Sequence, residues 1–286
     1  MIKIRVPATS ANLGPGFDTL GMALGIYNTF SVELSDVFQL RNVEKAYDTE
    51  DNLFVQAYCK ACEKAGFSVQ PVAVRFDADI PVARGLGSSA ACIVGGVAAA
   101  FLINGQKPDR DSVFQIAAEM EGHPDNAAPA VYGEMIISKK DAEGYVCEKV
   151  TVSPSLHFTV LIPPYAISTS EARKILPSAY SREEAVTNIG SIAFMIRGLE
   201  QGRMSLVHSG ADDCIHEPYR QKLISGFAEV REEAAREGAV LLISGSGSSS
   251  LLISESEITD GLKKKIMELG WDITKVSVCG GYSYDE

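Results

Sequence analysis

The sequence predicts an α+β fold in two units, and three observations predict it. Short Val- and Ile-rich strand segments come in clusters separated by helices, not in strict alternation with them. Pro154, Pro163 and Pro164 punctuate the chain and place a boundary near residues 150–165. The 286 residues, 46% of them hydrophobic, suffice for one large core or two small ones. The expected units are residues 1–155 and 156–286.

Taken in chain order, strands are expected at Ile2–Val6, Thr29–Leu34, Val72–Phe76, Glu134–Ser138, Val146–Val152, Phe158–Ile162, Val240–Ser244, Ser250–Ile253 and Lys275–Val278. The first helix covers Asn52–Ala65, with Asp51 or Asn52 before it and Gly66 after it. Ser88–Leu102 is apolar nearly all round, which predicts a buried helix. Asp111–Glu121 ends at Gly122, and Ser181 with Glu184 forms a capping box that opens a helix to about Gln201. Pro218–Arg236 and Ile258–Leu269 complete the helices.

A formal net charge of −11 argues against general nucleic-acid or anionic-membrane binding, but not against a phosphate site built from backbone N–H groups. The N-terminus lacks the apolar core of a signal peptide, and the longest apolar run, Ala90–Ile103, is too short to span a bilayer. A cytoplasmic chain with its six cysteines reduced is the expectation.

Three glycine-rich segments break the texture. Residues 7–21, PATSANLGPGFDTLG, are expected to be a shaped loop carrying Asn12 and Asp18, or simply a structural turn. In residues 81–91, PVARGLGSSAA, Gly85 and Gly87 allow close backbone approach, and Ser88 and Ser89 fall in the first turn of the buried helix, where unpaired N–H groups favour an anion. An ordinary glycine-packed cap reads equally well there. No lysine follows the glycines, so this is no Walker loop; Gly85, Gly87 and Ala90 do fit a relaxed dinucleotide pattern, which keeps a dinucleotide-binding oxidoreductase as an alternative. Residues 243–253, ISGSGSSSLLI, read as a hairpin with a glycine turn.

In order and spacing, the three segments together resemble the signature motifs of the GHMP kinases. PATSANLGPGFDTLGMAL and GHPDNAAPAVYG (residues 122–133) are most similar to the homoserine-kinase branch, and the resemblance runs from about residue 3 to residue 253. It implies a two-domain fold with a left-handed βαβ unit and an active site between the domains. The implied activity is ATP- and Mg²⁺-dependent phosphorylation of the L-homoserine hydroxyl in threonine biosynthesis, and a homodimer is suggested. A mevalonate-type GHMP kinase is the alternative within the family.

By the same resemblance, Arg84, Gly85, Leu86, Gly87, Ser88 and Ser89 wrap the ATP phosphates, Ser89 and Glu119 hold Mg²⁺, with Glu121 a competitor for Glu119, and Asn52 opens the helix beside the adenine pocket. Asn12, Asp18, His123, Asp125, Asn126, Thr169, Arg173 and Arg220 match the amino-acid site, with Asn12, Asn126 and Asp125 nearest the chemistry. Two guanidinium groups suit a carboxylate, and Asp18 or Asp125 suits an ammonium. The chain departs from the family pattern at Ser246, Ser248 and Glu134. The Cys59–Cys62 pair, His216–Glu217 and the run Lys263–Lys265 match no metal, redox or nucleic-acid constellation.

Overall fold

The computed structural model describes residues 1–49 and 51–285. Its strands are β1 (Ile2–Ala11), β2 (Leu20–Leu34), β3 (Gln39–Arg41), β4 (Val72–Ala78), β5 (Met135–Lys140), β6 (Tyr145–Val150), β7 (His157–Ile162), β8 (Val240–Ile243), β9 (Ser250–Ser254), β10 (Asp272–Val276) and β11 (Ser283–Asp285). Its helices are α1 (Leu53–Ala65), α2 (Ser88–Ile103), α3 (Arg110–Glu121), α4 (Pro124–Tyr132), α5 (Thr169–Lys174), α6 (Arg182–Gln201), α7 (Met204–Ser209), α8 (Glu217–Arg220), α9 (Phe227–Arg236) and α10 (Asp260–Glu268).

The first sheet runs β11-β1-β2-β4-β3, with β5 on the early part of β2 and β6 on β5. Helix α2 is the hub of the first unit: it packs on β1, α1, α3 and α4 and is buried on nearly every side. That is why its sequence shows no polar face. The second sheet runs β10-β7-β9-β8, all antiparallel. Its strands alternate strictly between two cores. Val160, Leu242, Leu251 and Ile253 join the core shared with the first unit, whereas Leu161, Leu241, Ile243 and Leu252 face α9 and α10. A sheet covered on both sides reads as continuous apolar runs, as VLLI and SLLI do.

The division expected at 155/156 falls in the connection between β6 and β7, where the chain passes from one sheet to the other. We keep it as a proposal with one amendment, that the C-terminal tail belongs to the first unit. β11 pairs with β1, and Tyr282 N–H donates to the Ala130 carbonyl.

Several expectations need correction. Residues 7–11 are not loop: β1 continues through them, with a register shift at Pro7/Ala8 that absorbs the proline. The expected helix Pro218–Arg236 is broken by a turn ending at Gly226, which has φ +84°. Helix α4 is absent from the expected helices, and it forms with two prolines in it, Pro124 and Pro129. Pro124 stands at the start of the helix, where no N–H is needed. The Asp125 carbonyl, which Pro129 cannot bond, lies instead against Gly21, where a Cβ would come within 1.7 Å of it.

Candidate active site

The three glycine-rich segments meet. The loop of residues 79–87 follows β4 and delivers Gly87, with φ +69°, as the cap of α2. Its carbonyls are taken from behind: Arg84 accepts from Ser249 N–H at 3.0 Å, Gly85 from the Ser244 hydroxyl at 2.7 Å, and Leu86 from Thr9 N–H at 3.1 Å. A Cβ on Gly85 would stand 2.2 Å from the Ser244 carbonyl oxygen, and one on Gly87 1.9 Å from Thr9 Oγ1. Glycine is therefore required for the segments to close on one another. With the carbonyls committed backwards, the N–H groups of Gly85, Leu86 and Gly87 have no backbone acceptor among the described residues. Together with the positive end of α2 they make an anion cradle.

This arrangement disfavours the dinucleotide alternative. β4 lies antiparallel to β2, its longer neighbour, and residues 79–87 separate it from α2; a dinucleotide turn needs a buried parallel strand running straight into its helix.

The cleft beside the cradle has a volume of about 320 Å³ and is lined by Arg84–Ser89, Asn12, Asp18, His123, Asp125, Asn126, Thr169, Arg173 and Arg220. Two expected residues lie elsewhere. Asn52 caps α1, accepting from Phe54 N–H and donating to the Tyr47 carbonyl, and its neighbour Leu53 lines the cleft instead. Glu119 points outward to Lys64, whose hydrogen bond lowers its pKa. The carboxylate in contact with Ser89 Oγ is Glu121, on the opposite side of α3 and lining the cleft. Burial raises its pKa despite the Ser89 hydrogen bond. Two residues apart on a helix point to different faces, so only one of the two glutamates can reach Ser89.

At the far end, Arg173 grips Asp18 with two parallel hydrogen bonds of 2.7 and 3.0 Å. That bond raises the guanidinium pKa against the effect of burial. His123 Nδ1 lies 2.5 Å from Asp125 Oδ1. Burial opposes charge on His123, but the bond to Asp125 and the nearby Glu121 and Asp18 outweigh it and raise its pKa. Asp18, His123 and Asp125 offer ligand atoms within 4.8 Å of one another. Asn126 Oδ1 accepts from Thr9 Oγ1 at 2.7 Å, which orients the amide. Asn12 is committed at both ends: its Nδ2 donates to the Gly245 carbonyl and its Oδ1 accepts from Asp18 N–H, so it ties the first segment to the third.

A supporting layer escaped the sequence reading. Buried His216 donates from Nε2 to the Gly14 carbonyl at 2.9 Å and offers Nδ1 to Arg220 at 3.4 Å. Burial and Arg220 lower its pKa to about 4, so it is neutral, as that acceptor role requires. Phe17 stacks on His216, with Arg173 and Arg220 over its ring. Arg220 also donates to the Ala172 and Gly245 carbonyls; burial, then Arg173, lower its pKa to about 10, still charged near neutrality. The only hint in the sequence was HEPYR, which places His216 and Arg220 four apart on one helical face.

The profile of the GHMP kinases N terminal domain matches residues 52–134. A homoserine kinase of Clostridium beijerinckii is 38% identical over 97% of this chain and 96% of its own length. One of Clostridium botulinum (Okra) is 36% identical over the same shares. The crystal structure of homoserine kinase from Cytophaga hutchinsonii superposes with a TM-score of 0.85 at 30% identity, covering 99% of this chain and 97% of that one. A phosphomevalonate kinase from Streptococcus pneumoniae shares the fold, with a TM-score of 0.73 at 14% identity over 96% and 100%. With the motifs, the cradle and these likenesses in agreement, the chain belongs to the homoserine kinases of the GHMP kinase family.

Proposed function

We propose that the chain transfers the γ-phosphoryl group of ATP to the side-chain hydroxyl of L-homoserine, giving O-phospho-L-homoserine and ADP. The observation that carries the choice of acceptor is the Asp18–Arg173 pair, flanked by His123 and Asp125. A zwitterionic amino acid can replace this pair by two others, its carboxylate on Arg173 and its ammonium on Asp18, leaving no charge unpaired. A hydroxy acid without an amine, such as mevalonate, would take Arg173 and strand Asp18 beside Asp125, which is costly in a half-buried site.

Arg84–Ser89 hold the phosphates through backbone N–H groups. Ser89 and Glu121 supply two adjacent oxygens at the mouth of the cradle, a donor set that fits Mg²⁺. When bound, that ion neutralises charge on the phosphates. Asn126, oriented by Thr9, fixes the acceptor hydroxyl, while Asn12 holds the Asp18 loop. Arg220 and Thr169 border the substrate. Asp125 is engaged by His123, so the rate comes mainly from positioning and charge stabilisation.

The kinetic test separates the two ends of the site. Arg173→Ala raises KM for homoserine roughly tenfold to a hundredfold, the equivalent of about 1.5–3 kcal/mol for a charge-assisted contact, and leaves KM for ATP unchanged. Asn126→Ala lowers kcat instead. An unchanged homoserine KM in the Arg173 variant would remove the carboxylate assignment.

A further inference from the structure

The proposed reaction gives buried His216 no task, yet both of its ring nitrogens are committed. It stands at the start of α8 with no exposed surface. A carbonyl can only accept, so Nε2, 2.9 Å from the Gly14 oxygen, carries the ring proton. A guanidinium can only donate, so Nδ1, 3.4 Å from Arg220 Nη1, offers its lone pair. Both neighbours therefore demand the same neutral tautomer. The Asp213 carboxylate, 3.5 Å away, lies on the Nε2 side and accepts from the N–H groups of Ile215, His216 and Glu217, so it leaves that tautomer in place. A phenylalanine would serve the stack on Phe17 as well, so packing alone does not require His216. A donor at one edge of a rigid ring and an acceptor at the other is what imidazole alone supplies.

The consequence falls on Arg220. A guanidinium holds its N–H groups in one planar fork. Nε donates to the Ala172 carbonyl at 3.2 Å, and Nη1 spends both of its hydrogens, on the Gly245 carbonyl at 2.9 Å and on His216. Nη2 has no acceptor among the described residues, and it is not sealed off, because Arg220 lines the cleft. The fork is thus turned so that one nitrogen is left for the substrate. Without the His216 lone pair, only the Gly245 carbonyl would hold Nη1, and the plane of the fork could swing about that one bond. The same ring also steadies the other charge of the acceptor site. Through Gly14 and Phe17 it holds the segment that carries Asp18.

We propose that His216 is a positioning residue for the acceptor: its neutral ring fixes Arg220 so that Nη2 alone is presented to the substrate. The proposal rests on the amino-acid reading of the site for its kinetics, but not for its spectroscopy. Two substitutions divide the ring. His216→Gln puts an amide nitrogen near the place of Nε2, which keeps the Gly14 bond and loses the lone pair for Arg220. His216→Asn puts an oxygen near the place of Nδ1 and does the reverse. His216→Gln is expected to melt close to the wild type and to raise KM for homoserine roughly fivefold to tenfold, with kcat within about twofold and KM for ATP unchanged, the effect of about one hydrogen bond. His216→Asn is expected to melt lower, yet to bring KM for homoserine back to within about threefold of the wild type. A purely structural histidine predicts that KM follows melting, with His216→Asn the worse. That order, or a wild-type KM in His216→Gln, overturns the proposal. Two-bond ¹H–¹⁵N NMR reads the ring with no acceptor present, the His216 signals being those lost in His216→Gln. A proton on Nε2 and none on Nδ1 near neutral pH is expected; a proton on Nδ1 overturns the proposal. A wild type that does not turn over L-homoserine would instead remove the acceptor assignment, and the ring tautomer would then decide the role of His216 by itself.

Discussion

At the residue scale, the most informative positions are those where the chain departs from its family pattern. Glu134, one of the departures named above, has φ +62°. Its backbone is fixed on both sides, its N–H donating to the Cys279 carbonyl and its carbonyl accepting from Ala23 N–H. A side chain in this left-handed region costs about 1–2 kcal/mol, partly offset by the greater freedom of glycine in the unfolded chain. Glu134→Gly is therefore expected to stabilise the protein by about 0.5–1 kcal/mol, read as a higher urea midpoint at unchanged slope. An unchanged or lower midpoint would contradict the strain. The glutamates of α3 carry a second lesson. The sequence left Glu119 and Glu121 in competition, and the registry of α3 on α2 puts Glu121 on Ser89 and Glu119 on Lys64.

At the element scale, helix propensity and packing give opposite expectations for α2. Gly96 lies mid-helix, where alanine would ordinarily gain about 1 kcal/mol. A Cβ there would sit 2.3 Å from the Phe54 carbonyl oxygen and 3.0 Å from the Ala57 Cβ on α1. The backbone of α1 cannot yield as a flexible side chain would, so Gly96→Ala should destabilise by about 1–3 kcal/mol in chemical unfolding. A gain in stability would mean that the helices are not this close. Regular elements were legible where apolar period and caps agreed, as in α1, α3 and the capping box of α6. Elements set by tertiary contact were not. β3 and β11 are three-residue edge strands that exist only through their neighbours, and α4 is a helix in spite of its prolines because Gly21 receives the free carbonyl.

At the scale of the whole molecule, the two units share an apolar core, and the second unit also buries an acid. Glu217 accepts from Ile243 N–H, and its other oxygen lies 3.1 Å from Arg231 but out of hydrogen-bond line. Burial pushes its carboxyl from 4.5 up to about 7, against Arg231 and the Ile243 N–H. The native state thus holds a proton that the unfolded chain releases. The stability this group contributes is complete below pH 4.5 and is lost as pH rises through 7. Between pH 4.5 and 7, Glu217→Gln should gain on the wild type by on the order of 3 kcal/mol, whatever their offset at one pH; parallel curves would contradict the shift. No helix among the described residues is long and apolar enough to cross a membrane. The phosphate side of the cleft could be read from the glycines and helix start of residues 81–91, and His123, Asp125, Asn126, Thr169, Arg173 and Arg220 only from the family resemblance. The layer behind it, from Phe17 to His216, could not, because it exists only once distant segments meet.

The most direct measurement is ADP release from ATP with Mg²⁺, comparing L-homoserine, mevalonate and no acceptor under one set of conditions. Turnover confined to L-homoserine, with loss of that turnover in Arg173→Ala at low substrate, is the predicted result. Turnover with mevalonate, or equal ADP release without any acceptor, would contradict the amino-acid site built from Asp18, Arg173 and Asn126.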